Sequence, residues 1–196
     1  MKGADILKNK YIQTANLDAE ILLARALGKD RRYIILNNEE NLDDKNLKYF
    51  NDLIKERSNR KPIAQIINKK FFWDSEFFIT EDTLIPRPDT ELIIEQVLKL
   101  FKHKNKINVL DIGVGSGCIL LTILKEKKNF YGAGIDISKK CIDISKINAK
   151  ALKVEKRAKF FKTDVDKFAQ GKYDLIISNP PYISKLYLKY LEKDVV

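Results

Sequence analysis

The stretch Asn108-Val109-Leu110-Asp111-Ile112-Gly113-Val114-Gly115-Ser116-Gly117-Cys118-Ile119 decides the fold. A short apolar run, Ile107 to Ile112, has the length of a buried strand and passes straight into three glycines within five residues. A helical segment from Gly117 to about Lys125 follows. Strand, glycine turn and helix in immediate succession make an α/β unit, and the rest of the chain repeats it. Tyr131 to Asp136 reads as a strand, Lys139 to about Leu152 as a helix, Ala158 to Lys162 as a strand and Tyr173 to Ser178 as another. The expected fold class is therefore α/β, a parallel sheet with right-handed crossovers whose ligands bind at the carboxyl ends of the strands.

Upstream of this unit the pattern differs. The first 60 residues read as helices. Asn16 precedes a segment with Asp18 and Glu20 in its first turn, a stripe of Leu17, Ile21, Ala24 and Leu27, and Gly28 just beyond its end. A second helix, Asp44 to about Asn59, places Leu47, Phe50 and Ile54 on one side. From Ile63 to Thr80 two β-prone runs flank Asp74 and Ser75, which predicts a hairpin crowded with Phe71, Phe72, Trp73, Phe77 and Phe78. The prolines of LIPRPDTE, residues 84 to 91, keep the connector extended, and Asp89-Thr90 is expected to cap a helix with Ile93, Ile94, Val97, Leu98 and Phe101 as its stripe. The expected domains are a helical docking domain at 1–62, a hairpin linker at 63–83 and an α/β domain at 84–196.

Composition excludes several function classes. The 196 residues are 44% hydrophobic, too many for a disordered tail. No apolar run approaches the roughly 20 residues needed to span a bilayer, and no signal peptide is visible, so the expectation is a cytoplasmic chain with no membrane partner. Cys118 and Cys141 are too few for a disulfide framework or a zinc site, so no metal is expected, and each reads as a small buried side chain. The single histidine, His103, lies in a basic stretch without a motif, which argues against Ser-His-Asp or Cys-His chemistry. Of the net charge of +10, residues 99–162 hold 16 basic and 5 acidic side chains. These lysines read either as a solvated surface or as a face turned toward the ribosome or RNA.

The glycine loop admits three readings. A phosphate loop would need Lys and Ser or Thr after its last glycine, where Cys118 and Ile119 stand. The dinucleotide fingerprint would need glycine or alanine at Cys118. There remains G-x-G-x-G preceded by an acid, Asp111, which resembles the first motif of S-adenosylmethionine-dependent methyltransferases. The second strand ends at Asp136, where a carboxylate can accept both hydroxyls of a ribose, or can simply cap the next helix.

The fourth strand ends in Ser178-Asn179-Pro180-Pro181-Tyr182-Ile183. Two prolines remove two N–H donors and fix two φ angles, leaving stiffly held carbonyls. Such acceptors suit a substrate NH₂ group. An amide or exocyclic amine is a poor nucleophile because its lone pair is delocalised. Accepting its two N–H bonds at the Asn179 side-chain oxygen and the Pro180 carbonyl favours a pyramidal nitrogen aimed at a methyl donor. Tyr182 offers a planar face to the acceptor.

Taken together, LDAEILLARALG, RKPIAQI, LIPRPDTE, DIGVGSGCI, GIDIS and SNPPYI resemble the bacterial release factor glutamine methyltransferases (the HemK, or PrmC, family) over essentially the whole chain. The resemblance implies a Rossmann-like methyltransferase sheet, S-adenosyl-L-methionine as methyl donor and a peptide chain release factor as protein substrate, methylated on the glutamine N5 of its Gly-Gly-Gln motif. It assigns Asp111, Gly113, Val114, Gly115, Ser116, Gly117, Asp136, Asp164, Val165 and Asn179 to the cofactor. Asn179 and Pro180 become catalytic, and Asn179, Pro180, Pro181 and Tyr182 substrate-binding. Val165 stands where an aromatic residue is common, and Asn68 where glycine is. Sheets of this class run in the order 3-2-1-4-5-7-6. Only four strands are readable, so the expectation is a form truncated at the C-terminus. A nucleic-acid N6-adenine methyltransferase and a non-catalytic binding remnant are the alternatives, because NPPY is shared with nucleic-acid methyltransferases.

Overall fold

The computed structural model describes residues 2–37 and 42–180, which fall into two compact units parting between Ile67 and Asn68. The first is helical: α1 (Lys2–Lys8), α2 (Ala15–Leu27), α3 (Arg31–Leu36), α4 (Asp44–Ser58) and α5 (Ile63–Ile67). Asp30 and Asp43 cap α3 and α4 by accepting the Tyr33 and Asn46 N–H groups. Gly28 closes α2 in the left-handed conformation.

The expected stripes hold in part, with Ala24, Phe50 and Ile54 buried, and shift at Leu17 and Leu47. In α2 the buried face is Ala15, Asp18, Ala19, Leu22, Ala24 and Ala26, while Leu17 is exposed. In α4 it is Phe50, Leu53, Ile54 and Arg57, with Leu47 exposed. The cause is an ion pair. Arg57 Nε donates to Asp18 Oδ2 at 2.7 Å, and the two side chains are only 8% and 6% exposed. Thr14 Oγ1 also donates to Asp18, and Arg57 reaches the Lys61 carbonyl. Rotating α2 to bury this pair turns Leu17 outward. The residue preceding α2 is accordingly Thr14, not Asn16.

The segment Ile63–Ile67 is a helix rather than the first β-run of a hairpin. The Pro62 carbonyl accepts from Gln65 and Ile66, which starts the turn, and Ile66 enters the helical core. Asn68 stops it in the left-handed region at φ +57°, and its side chain donates to the Ile79 carbonyl. Asn is the side chain other than glycine that best tolerates this conformation.

The second unit begins with the hairpin, β1 (Lys69–Phe72) and β2 (Ser75–Phe78). Phe72 pairs with Ser75, so the turn is Trp73-Asp74 and Ser75 already belongs to the strand. Phe72 and Phe77 are buried and Phe71 exposed, as alternation requires. A 3₁₀ turn over Pro88–Thr90 then leads into α6 (Glu91–Leu100). The remaining elements alternate: β3 (Asn108–Ile112), α7 (Cys118–Glu126), β4 (Tyr131–Asp136), α8 (Lys139–Ala151), β5 (Ala158–Lys162) and β6 (Leu175–Ser178). They make a parallel sheet in the order β5-β4-β3-β6, so the α/β class and the 3-2-1-4 arrangement of its first strands hold. On one face Leu110, Ala133 and Ile135 pack with Phe161, Phe168 and Tyr173. All four strands end at the same edge.

The Asp18–Arg57 pair yields a stability prediction. Asp18→Ala strands a buried guanidinium and should cost about 3–5 kcal/mol, whereas replacing both partners with apolar residues of similar volume (Asp18→Leu with Arg57→Met) should recover most of it. Urea unfolding of the two variants checks this. Equal losses in both would show that the charges themselves are needed.

Candidate active site

The glycine loop is built by register. Gly113 and Val114 N–H groups both donate to the Ile135 carbonyl, which extends the β3–β4 pairing past the end of β3. The chain then turns sharply, with Gly113, Gly115 and Gly117 at φ +76°, +54° and +82°. A Cβ at Gly113 would meet nothing within 4 Å, so its glycine serves the backbone conformation and the space above it stays open to a ligand. Gly134 answers a different need. A Cβ there would lie 2.7 Å from Val114 Cγ2, so the bare backbone of β4 lets the loop settle against it.

Three side chains hold the loop from outside. Ser145 Oγ donates to the Gly115 carbonyl at 2.8 Å, and buried Asn148 Nδ2 donates to the Ser116 carbonyl at 2.8 Å. Asp136 Oδ2 accepts the Gly115 N–H at 3.1 Å while its Oδ1 accepts the Ser138 N–H at 2.8 Å. Each Asp136 oxygen thus retains acceptor capacity for a hydroxyl. The cap of α8 is Ser138, which accepts the Cys141 N–H, so Asp136 is not the helix cap. Sequence reading missed Ser145 and Asn148, because neither lies in a motif.

Asp111 is 1% exposed, and its Oδ2 has no hydrogen-bond partner. Burial, with a lesser push from the Asp136 charge, raises its carboxyl to about 7, and the Leu120 N–H offsets only part of this. A buried carboxyl with one oxygen left unpartnered beside the loop fits a cationic group. Asp164 accepts the Asp166 N–H and caps the 3₁₀ turn Val165–Lys167 after β5; Val165 is about half exposed. The Thr163 N–H donates to the Asp136 carbonyl, joining this corner to the end of β4.

β6 brings the Asn179-Pro180 terminus to the same edge. Ile112 pairs with Ser178, and Ser178 Oγ donates to the Ile112 carbonyl at 2.9 Å. Asn179 and Pro180 therefore leave β6 beside the start of the glycine loop. Asn179 Nδ2 donates to Thr90 Oγ1 at 3.2 Å. Thr90 was expected as a helix cap but makes no side-chain cap bond. Pro181 and Tyr182 lie outside the described residues. The LIPRPDTE segment also braces the hairpin, because Glu91 Oε1 accepts the Trp73 N–H at 2.7 Å.

Other candidate chemistry recedes. Burial pushes the Cys118 thiol up to about 12, and Cys141 donates to the Asp82 carbonyl with its thiol also raised by burial, so neither is a ready nucleophile. Among the described residues no group of three or more His, Cys, Asp or Glu could hold a metal ion, and no helix is long and apolar enough to cross a membrane. Lys125, Lys139 and Lys140 of the basic segment pair with Asp74, Asp143 and Asp82. In the helical unit a groove of about 380 Å³ is lined by Leu23, Tyr33, Ile34 and Phe50 among others.

The raised Asp111 carboxyl sets a pH dependence. Between about pH 4 and 7 the unfolded chain releases this proton while the folded one keeps it, so folding stability declines across that window and the deficit is complete above it. Asp111→Asn abolishes the titration. Its stability relative to wild type, measured by denaturant unfolding without ligand, should rise with pH through this window, by up to about 4 kcal/mol, and then level off. A difference independent of pH would contradict the burial argument.

Comparison with known proteins places the chain in a family. The model for the PrmC N-terminal domain matches residues 1–67, and that for the methyltransferase small domain matches residues 89–191. A release factor glutamine methyltransferase of Buchnera aphidicola subsp. Acyrthosiphon pisum is 38% identical over 190 residues, spanning 97% of this chain and 68% of the relative. Those of Buchnera aphidicola subsp. Baizongia pistaciae and Leptospira interrogans are each 39% identical, spanning 100% of this chain and 70% of the relative. With a glycine loop, a ribose-competent carboxylate and an Asn-Pro terminus at one sheet edge, and relatives matched from end to end of this sequence, the chain belongs to the release factor glutamine methyltransferase family.

Proposed function

We propose that this chain transfers the methyl group of S-adenosyl-L-methionine to the side-chain N5 of the glutamine in the Gly-Gly-Gln motif of peptide chain release factors. One observation carries the reading: Asn179 and Pro180 stand at the end of β6 beside the glycine loop, on strands tied together by the Ser178–Ile112 bond. The residues fit the donor. The Asp136 carboxylate would accept ribose hydroxyls, and the buried Asp111 carboxyl would answer the α-ammonium of the cofactor's methionine part. Gly113 to Gly117, with Val114 and Ser116, would form the floor, and Asp164 and Val165 would border the adenine. S-adenosyl-L-methionine held there would supply an electrophilic methyl on its sulfonium, the C–S electron pair staying on sulfur and the proton of the methylated glutamine nitrogen passing to solvent.

Asn179 Oδ1 and the Pro180 carbonyl accept the two N–H bonds of the glutamine amide and hold its nitrogen lone pair toward the methyl. The Pro180 ring fixes its own φ, so that carbonyl does not need to be ordered during the reaction. Pro181 and Tyr182 complete the acceptor motif. In this reading the helical unit, which runs to Ile67 and not to residue 62, docks the release factor, and the unit that begins at Asn68, hairpin included, carries the catalytic site. The apolar groove among Leu23, Tyr33, Ile34 and Phe50 supports a docking role for the helical unit. Such a substrate puts the reaction in the cytoplasm.

Incubation with methyl-labelled S-adenosyl-L-methionine and either release factor or duplex DNA tests the proposal. Label should enter the release factor at the Gly-Gly-Gln glutamine, and Asn179→Ala should lower the rate by about two orders of magnitude. Label in DNA would replace this reading with an adenine methyltransferase. Cofactor binding without transfer to either would point to a binding remnant.

A further inference from the structure

We infer that Thr90 is a positioning residue for the acceptor site, its hydroxyl restraining the Asn179 carboxamide torsion through a hydrogen bond at the carboxamide nitrogen. The inference rests on the proposed reading of Asn179 and adds to it a residue from a separate motif 89 positions earlier.

Three observations support it. First, Asn179 Nδ2 donates to Thr90 Oγ1 at 3.2 Å. Second, that hydroxyl serves nothing local. Thr90 directly precedes α6, where a threonine ordinarily caps the helix, yet its φ and ψ of −67° and −19° are already helical and its side chain makes no cap bond. Third, Thr90 is only 9% exposed, and its backbone is fixed by the bond from its N–H to the Arg87 carbonyl within the Pro88–Thr90 turn. The anchor is therefore itself rigid.

The chemistry explains why such an anchor matters. A carboxamide presents an acceptor at one end and two donors at the other, and its terminal torsion is soft. Turned the wrong way, Asn179 would offer N–H groups to a substrate that itself brings N–H groups. The acceptor would then be badly oriented even though every motif residue is present. A bond from a rigidly held hydroxyl restrains that soft torsion without touching the substrate, so Thr90 acts through Asn179 and on the transfer step rather than on cofactor binding.

The test uses the full chain. Selective ¹⁵N labelling of asparagine, with Asn179→Ala for assignment, reads the Asn179 side-chain NH₂ in cofactor-free protein. Its protons should exchange slowly in wild type, rapidly in Thr90→Val and slowly again in Thr90→Ser. With release factor as substrate, Thr90→Val should lower kcat about tenfold and Thr90→Ser should recover most of it, as expected for one lost hydrogen bond, while the dissociation constant for S-adenosyl-L-methionine stays unchanged. If Thr90→Val lowers the melting temperature, Thr90→Ser against Thr90→Ala makes the same comparison of hydroxyl present and absent. Unchanged exchange and kcat on loss of the hydroxyl, with Asn179→Ala inactive, would overturn the inference and leave the proposed function standing. Wild-type activity in Asn179→Ala would overturn the acceptor-site reading, whatever the exchange data show.

Discussion

The methyltransferase unit depends on the carboxamide of Asn148. It is 1% exposed and makes three hydrogen bonds: Oδ1 accepts the Phe78 N–H, and Nδ2 donates to both the Phe78 and the Ser116 carbonyls. One side chain on α8 thus serves as strand partner for the hairpin and as tether for the glycine loop. The loop needs such tethers because three glycines with positive φ have large conformational freedom in the unfolded chain and make few contacts of their own. A neutral amide provides the bond without the desolvation cost of a buried charge. With one hairpin strand held here, its turn is fixed at the other end. Trp73 takes the left-handed conformation, its N–H bound by Glu91 and its indole by Glu126, while Lys125 reaches Asp74 and Ser75.

The strands and helices of the sheet are legible in the sequence because their signals are local. Strands β3 and β4 are short apolar runs that end at a glycine and an acid, β5 is a short run centred on Phe160 and Phe161, and the helices between them keep a 3.6-residue period. The helical unit is less legible because its packing depends on a pair of charges 39 positions apart. Asp18 looks like a first-turn acid and Arg57 like a last-turn base, both ordinary surface placements by helix-dipole reasoning. Only their mutual burial reveals which stripe faces inward. For Ile63–Ile67, β-branched composition favours a strand, but Pro62 ahead and Asn68 behind set a single helical turn and then stop it.

The candidate site divides the same way. Residues whose chemistry is concentrated in a contiguous motif can be read directly: the loop from Gly113 to Gly117, Asp136, and Asn179 with Pro180. Side chains that position them cannot, because Ser145 and Asn148 are 30 and 32 positions from the carbonyls they bind and lie in a helix whose lysines dominate its appearance. Thr90 is an intermediate case. Its motif is conspicuous, but the sequence suggests a cap, and the structure instead gives its hydroxyl to Asn179.

Asp111 shows how cost and function are joined at this edge. Its buried, unpartnered oxygen near Asp136 disfavours the folded state once both are ionised. A packing argument alone would place a neutral side chain there, as the neighbouring apolar residues of β3 suggest. A cationic ligand inverts the balance: the carboxylate that destabilises the ligand-free protein becomes the partner of the incoming charge, and the penalty is relieved on binding.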